Sequence, residues 1–175
     1  GQIVQQPPKK KAPRSFLNPE LKGETIVLTT TNGTKAIKIA ENKETVIIGS
    51  LNNLGSLTKW LIRQERNTLV LASGWKDKFN LEDTICAGAI IDGVLESGKF
   101  ASKEDSSVAA KFIYRSAKEN IFSYLKASSH RRRLRKLNLN ADVNYCLTPN
   151  NLTAIPILKN GILVPLKDVE NKVET

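Results

Sequence analysis

Three polar stretches, each directly after an apolar run, contain the residues best suited to chemistry. The first reads Thr31-Asn32-Gly33-Thr34 and opens a predicted helix. Backbone N–H groups, hydroxyl donors and the positive end of a helix dipole suit a phosphate oxyanion. The same residues also fit a plain tight turn followed by a threonine cap. The pattern therefore predicts a phosphate-binding turn and leaves a purely structural turn open.

The second stretch, residues 49–53, contains Gly49, Ser50 and Asn52. A glycine lets a ligand approach the backbone closely, and the serine and asparagine could hydrogen-bond that ligand. Both residue types are also common helix caps, so the stretch could instead only begin the next helix.

The third stretch, residues 73–83, is longer than a plain strand-to-helix connection needs. It includes Gly74, and Glu82-Asp83 at its end open an apolar helix. Adjacent carboxylates beside a phosphate site could hold Mg²⁺ through oxygen ligands and waters. Asn80 with Asp83 three residues later also resembles a capping box, which would explain Asp83 without a catalytic role.

Other reactive residue types lend little support to a nucleophilic enzyme. The single histidine, His130, adjoins three arginines on a predicted surface helix, so we expect it to be solvated rather than a general base. Cys86 and Cys146 lie far apart and match no metal-ligand spacing. No apolar run approaches the length of a membrane span or forms a signal segment. We therefore expect a cytoplasmic protein with reduced thiols and no membrane contact.

The net charge of +10 is concentrated in two segments. They are the start of the chain (Lys9, Lys10, Lys11 and Arg14) and the end of a long predicted helix (Lys126, Arg131, Arg132, Arg133, Arg135 and Lys136). Such clusters can bind nucleic acid or an acidic partner. No aromatic residues are interleaved with them, which disfavours nucleic acid. A solvated helix face explains the second segment as well.

Apolar runs that alternate with helices predict the scaffold. Residues 25–30, 45–49 and 68–73 are short, β-branched runs, followed by predicted helices to residue 41, over 53–66 and over 81–96. This alternation indicates an α/β fold, a three-layer α/β/α architecture with a mainly parallel sheet. Ligands bind beyond the carboxyl ends of such strands, where the three polar stretches lie.

The second half of the chain has a different pattern. It predicts a long helix over 104–128, a basic helical turn ending near 137, and strands over 143–147, 153–158 and 162–166. Asn160-Gly161 is a strong signal for a C-terminal β-hairpin, which Pro156 and Pro165 place at a sheet edge.

The start of the chain reads as a separate segment. Residues 1–23 contain four prolines and predict an extended basic arm, leaving 24–175 as one α/β domain. The absence of methionine and the start at Gly1 indicate that the natural N-terminus lies elsewhere.

Three strings resemble the 2-phosphosulfolactate phosphatase family: IVLTTTNGTKAI (26–37), VIIGSLNN (46–53) and LASGWKDKFNLEDTICAGAI (71–90). Asp105 within KEDSSVAA, the HRRRL run, and VNYCLTPNN followed by IPIL resemble later segments of that family. The resemblance extends over residues 13–166.

This resemblance implies Mg²⁺-dependent hydrolysis of 2-phosphosulfolactate to sulfolactate and phosphate, a step in coenzyme M synthesis. The partner would be a small phosphorylated sulfonate. The residues near the three stretches show no clear sulfonate signature, and Lys35, Lys76 and Lys78 are only plausible counter-charges. The residues carried over for phosphate or substrate are Thr31, Asn32, Gly33, Thr34, Gly49, Ser50, Asn52 and Gly74. Those carried over for catalysis are Glu82 and Asp83, and those for the metal are Glu82, Asp83 and Asp105.

The resemblance also implies a further segment, with an early strand, at the start of family members. Without it, the chain could be inactive alone, and the unpaired sheet edge favours a homodimer or pairing with that segment. The alternative is a non-catalytic binding module that uses the basic arm and the arginine-rich helix.

Overall fold

A computed structural model describes residues 12–167, apart from the side chains of His130, Arg133 and Lys136. Over this range the chain forms seven α-helices and two β-strands. They are α1 (Gly33–Ala40), α2 (Leu54–Gln64), α3 (Leu81–Leu95), α4 (Asp105–Ala117), α5 (Ile121–Tyr124), α6 (Ser129–Lys136), α7 (Asn140–Leu147), β1 (Pro156–Lys159) and β2 (Ile162–Pro165). None of the helices in this range is both long enough and apolar enough to cross a membrane.

Helix α3 is the centre of the molecule. It is apolar around most of its circumference, as expected of a helix that is buried on several sides. Ile85 and Ala89 belong to a core cluster with α4, α5 and α7. Ile90 and Val94 belong to a second cluster with α2 and the C-terminal strands. The start of α3 is thereby held rigidly between two halves of the core.

The packing of α4 against α3 depends on one glycine. A Cβ atom on Gly88 would lie 2.0 Å from the carbonyl oxygen of Ala110, so only glycine permits this approach. The half-exposed Arg115 guanidinium pairs with the buried Asp92 carboxylate at 2.8 Å beside this crossing. The pair satisfies a carboxylate that would otherwise be buried without a partner.

The predicted parallel sheet is not formed by the described residues. Residues 25–30 and 68–73 have no strand ladder, and residues 45–49 contribute one antiparallel bridge, from Ile47 to Ile157. Apolar side chains of the first two segments face solvent: Val27 is 66% exposed and Leu69 is 84% exposed. The fold is mixed α and β, as predicted, and residues 12–167 do not show the three-layer arrangement with a parallel sheet.

Two predictions for the second half of the chain were wrong in detail. Residues 143–147 were expected to form a strand and instead end helix α7. Val143 and Leu147, four residues apart, both face the first core cluster, which is helical spacing. The long helix predicted over 104–128 is interrupted after Ala117, where Asn120 caps α5 by accepting a hydrogen bond from the Ser123 N–H at 2.9 Å.

The C-terminal hairpin is confirmed. Pro156 pairs with Pro165 and Lys159 with Ile162 in an antiparallel register. Asn160 and Gly161 have φ angles of +48° and +78°, as a type I′ turn requires.

Part of the predicted arm packs against the domain. Pro13–Leu17 and Pro19–Leu21 form short 3₁₀ turns, and the Arg14 N–H donates to the Asp142 carboxylate at 3.1 Å. Residues 1–11, with their three lysines, lie outside the described residues.

The basic segment near residue 131 is not a uniformly solvated face. Arg131 is buried, with its guanidinium 4.2 Å from the centre of the Phe122 ring and a 2.8 Å hydrogen bond to the Asn140 side chain. Arg132 donates to the Ala127 carbonyl. Arg131 therefore fastens α6 to α5 and α7. The prediction for His130 concerns a side chain outside the described residues.

Candidate functional site

The turn before α1 is closed by two reciprocal hydrogen bonds. The Thr34 N–H donates to Thr30 Oγ1 at 3.2 Å, and the Thr30 N–H donates to Thr34 Oγ1 at 3.1 Å. Gly33 allows a close approach here, because a Cβ atom would lie 2.9 Å from Thr30 Oγ1 and force a shift. Asn32 occupies the N-cap position, yet its side chain makes no capping bond to α1. The positive end of α1 thus lacks the usual side-chain acceptor from its N-cap residue.

Residues 74–78 form a second tight element, which we call the 74–78 hairpin. Trp75 and Lys78 exchange both backbone hydrogen bonds, at 3.0 and 3.1 Å. The two loop residues, Lys76 and Asp77, have φ angles of +52° and +59°. Gly74 also has a positive φ, +67°, and a Cβ atom there would lie 2.7 Å from the Lys78 carbonyl oxygen. Glycine is therefore dictated at this position by both backbone conformation and space.

Side chains from α1 and α3 fasten the 74–78 hairpin. Asp83 Oδ2 accepts hydrogen bonds from the Gly74 N–H at 2.6 Å and from Ser73 Oγ at 3.2 Å. On the other side, Asn32 Oδ1 accepts a hydrogen bond from the Lys76 N–H at 3.3 Å. Lys35 Nζ also lies 2.5 Å from Asp77 Oδ1 in an exposed ion pair. The first and third polar stretches are thus connected to each other.

An open cavity of about 460 Å³ lies between these elements. Five residues that the sequence assigned to a site line it: Thr31, Asn32, Gly33, Gly74 and Asp83. Lys76, named from the sequence only as a counter-charge, lines it as well, together with four residues that the sequence did not assign: Thr30, Ser73, Trp75 and Asn80. Their position directly beside the assigned residues in the first and third stretches was the signal that could have identified them. A second, mostly apolar cavity of about 280 Å³ shares Gly33, Ser73 and Asp83 with the first and includes Gly49.

The second polar stretch is occupied by structural contacts. The buried Asn52 side chain donates to the carbonyls of Tyr145 at 2.8 Å and Thr148 at 2.9 Å, which join it to the end of α7. The Asn53 side chain accepts a hydrogen bond from the Ser50 N–H at 2.8 Å. Ser50 and Asn52 do not line the cavity of the first and third stretches.

Of the three residues assigned to a metal, the structure brings two close together, Glu82 and Asp83, and places Asp105 apart from them. Glu82 and Asp83 share the first turn of α3, where the Asn80 side chain accepts a hydrogen bond from the Glu82 N–H at 2.9 Å. Asp105 begins α4 and lines neither cavity. Among the described residues, no three His, Cys, Asp or Glu side chains are grouped so that they could hold a metal ion.

The two cysteines are free thiols beside this region. Burial raises the pKa of Cys86 to about 12, and the neighbouring Asp83 and Glu82 carboxylates add to the effect. Burial likewise raises the pKa of Cys146, with further contributions from Glu82 and Asp142. Both thiols are protonated near neutral pH, so neither is an activated nucleophile.

Sequence comparison identifies the family. The family model described as 2-phosphosulpholactate phosphatase matches residues 8–161. The chain belongs to this family. The match contains the turn before α1, the 74–78 hairpin and the start of α3, so the predicted resemblance is confirmed.

Individual relatives agree with this family. Each of three is described as a probable 2-phosphosulfolactate phosphatase. The protein from Caldanaerobacter subterraneus subsp. tengcongensis is 34% identical over 157 residues, which cover 90% of this chain and 65% of the relative. The Picosynechococcus protein is 34% identical, with 90% and 65% covered, and the Symbiobacterium thermophilum protein is 32% identical, with 89% and 67% covered. The chain thus spans about two thirds of the length of these relatives.

Proposed function

We propose that this chain carries the phosphate-binding part of a phosphatase that hydrolyses 2-phosphosulfolactate to sulfolactate and phosphate. The observation that supports it most is the juxtaposition of the start of α1, where Asn32 makes no capping bond, with the 74–78 hairpin across one open cavity. Helix N-termini with neighbouring hydroxyls bind phosphate through backbone N–H groups and the helix dipole. Membership of the family, and the names of the relatives, supply the substrate.

Four residues of the cavity have separate parts in this proposal. The Gly33 N–H at the start of α1 and the Thr31 hydroxyl donate to phosphate oxygens. Asn32 holds the hairpin in place through the Lys76 N–H. The Asp83 carboxylate faces the same cavity and is held by the Gly74 N–H. There it can accept a proton from the attacking water or orient that water toward phosphorus.

The proposal also includes a bound Mg²⁺. Some of its ligands would come from groups other than the described residues. Glu82 and Asp83 would supply two carboxylates, and a bound Mg²⁺ would neutralise charge on the phosphoryl group. Mg²⁺ keeps several waters in protein sites and prefers six oxygen ligands. Asp105 would be a magnesium ligand only if α4 packed against α3 in a position different from the one observed.

The test is phosphate release from 2-phosphosulfolactate, measured with and without Mg²⁺, together with titration calorimetry of inorganic phosphate. We expect Asn32→Ala to reduce both turnover and phosphate binding, and Asp83→Asn to reduce turnover. Asn52→Ala is the matched control, because that asparagine lies outside the cavity and should leave phosphate binding intact below the unfolding temperature. A folded wild-type chain that neither binds phosphate nor releases it would refute the proposal.

The alternative of a basic binding module receives no support from residues 12–167, the part of the chain that the structure describes. Arg131, central to the predicted basic surface, is buried against Phe122 and Asn140. Its charge is therefore used within the domain.

A further inference from the structure

Two hairpins of this chain have the same turn geometry and very different residues. Each is a two-residue loop with positive φ at both positions: Asn160-Gly161 in one and Lys76-Asp77 in the other. Asn-Gly is the preferred pair for this turn, because asparagine and glycine adopt the left-handed conformation readily. Lysine does not, and Lys76 is therefore held in a conformation that its type disfavours.

Of the two hairpins, the one with the disfavoured Lys76 stands at the candidate site and the one with the preferred Asn-Gly pair stands away from it. Lys76 lines the 460 Å³ cavity, whereas Asn160 and Gly161 line none of the described cavities. Residues in disfavoured backbone conformations gather at ligand sites, where the surrounding structure holds them. Here the contacts that hold the hairpin are the Lys76 N–H to Asn32 and the Gly74 N–H to Asp83.

Lys76 also differs from the lysines around it. Lys35 is already paired with Asp77, and Lys78 does not line the cavity. Among the described residues that line it, Lys76 is the only cation. Its ammonium lies 4.9 Å from the centre of the Trp75 ring and forms no ion pair with a carboxylate in residues 12–167. The Trp75 face thus supports a positive charge at the mouth of the cavity.

We infer that Lys76 determines substrate specificity by binding a second acidic group of the substrate. This inference rests on the proposed function, in which the phosphate occupies the start of α1. The Lys76 backbone is joined to Asn32, so its side chain extends from the edge of the phosphate turn. A carboxylate or sulfonate on a carbon next to the phosphate ester is the group that this ammonium fits. The ligand class is therefore a small phosphomonoester with at least one further acid group.

Two matched ligands and three variants test this role. 2-Phosphosulfolactate carries two acid groups beside its phosphate ester, and glycerol 2-phosphate carries hydroxymethyl groups in their place. Dissociation constants are measured by calorimetry for the wild type, Lys76→Gln and the control Lys78→Gln. We expect Lys76→Gln to weaken 2-phosphosulfolactate about five- to ten-fold, the effect of one lost charge-assisted hydrogen bond. Glycerol 2-phosphate binding should stay within about two-fold, as should both ligands with Lys78→Gln.

A third variant, Lys76→Asn with Asp77→Gly, separates the side chain from the turn. Its Asn-Gly pair should raise the unfolding temperature, because it suits the turn, while 2-phosphosulfolactate binding falls as with Lys76→Gln. Equal weakening of both ligands, or of neither, would overturn the inference and leave the phosphate site standing. A wild-type chain that binds neither ligand would overturn the proposed function, and this inference with it.

Discussion

The Asp83 carboxylate lies 2.6 Å from the backbone nitrogen of Gly74, and this contact ties the first turn of α3 to the 74–78 hairpin. Asp83→Ala should lower the free energy of unfolding by about 1–3 kcal/mol, because the partly buried Gly74 N–H loses its acceptor. Asp83→Asn keeps an amide oxygen at that position and should lose less. Urea denaturation of both variants measures the difference. Equal stability of Asp83→Ala and the wild type would contradict the structural role.

Asn52 provides the second prediction, because its side chain joins two distant parts of the chain. Asn52→Ala leaves the Tyr145 and Thr148 carbonyls without their donor, and we expect a loss of about 2–3 kcal/mol in unfolding free energy. The exposed Asn67→Ala is the control and should change stability by less than about 0.5 kcal/mol. Normal stability with lost phosphate binding would instead support Asn52 as a substrate ligand.

The close approach of α3 and α4 predicts that Gly88 and Gly93, both in α3, differ in how well they tolerate substitution by alanine. Gly88→Ala places a methyl group 2.0 Å from the Ala110 carbonyl oxygen and should destabilise the fold by about 3 kcal/mol or more. Gly93→Ala meets only the methyl group of Thr58, at 3.0 Å, and gains helix propensity. Its stability should stay within about 1 kcal/mol of the wild type. Thermal unfolding followed by circular dichroism compares the two.

The buried Cys86 predicts a pH dependence above pH 9. An unfolded cysteine loses its proton near pH 8.5, whereas the folded pKa of Cys86 is raised to about 12. The thiolate therefore favours the unfolded chain, and the stability that is present below about pH 8.5 is lost as pH rises toward 12. The loss is about 1.4 kcal/mol per pH unit at most.

The measurement for Cys86 is the free energy of unfolding from pH 7 to pH 11, with Cys86→Ala as reference. The wild type should fall relative to the variant above pH 9, since the variant has no thiol to titrate. A constant difference over the whole range would show that Cys86 is not buried as described.

The exposed apolar residues of segments 25–30 and 68–73 predict self-association. If residues 25–30 and 68–73 form a homodimer interface, sedimentation velocity should show a concentration-dependent dimer that Leu69→Lys weakens, because Leu69 is 84% exposed. Leu137→Lys is the control, an exposed leucine at the end of α6. A wild-type chain that stays monomeric at all concentrations would contradict the homodimer prediction.

Local residue patterns were enough to determine several elements. The periodic apolar residues of α2 and α3, the Asn80 cap and the Asn160-Gly161 turn all depend on residues within a few positions of each other. The strings of the phosphate turn and of residues 71–90 likewise sufficed to predict the family. Short-range propensity, capping and turn chemistry act on neighbouring residues, so a sequence displays them directly.

Tertiary structure alone decided which polar residues share a site. Asn52 and Asn32 follow similar apolar runs, yet Asn52 is buried in backbone contacts with α7 while Asn32 lies at the open cavity. Local sequence also did not predict the helical form of residues 143–147 or the missing ladder between residues 25–30 and 68–73. These outcomes depend on contacts between residues far apart in the chain, where packing and hydrogen-bond satisfaction override the preference of any short segment.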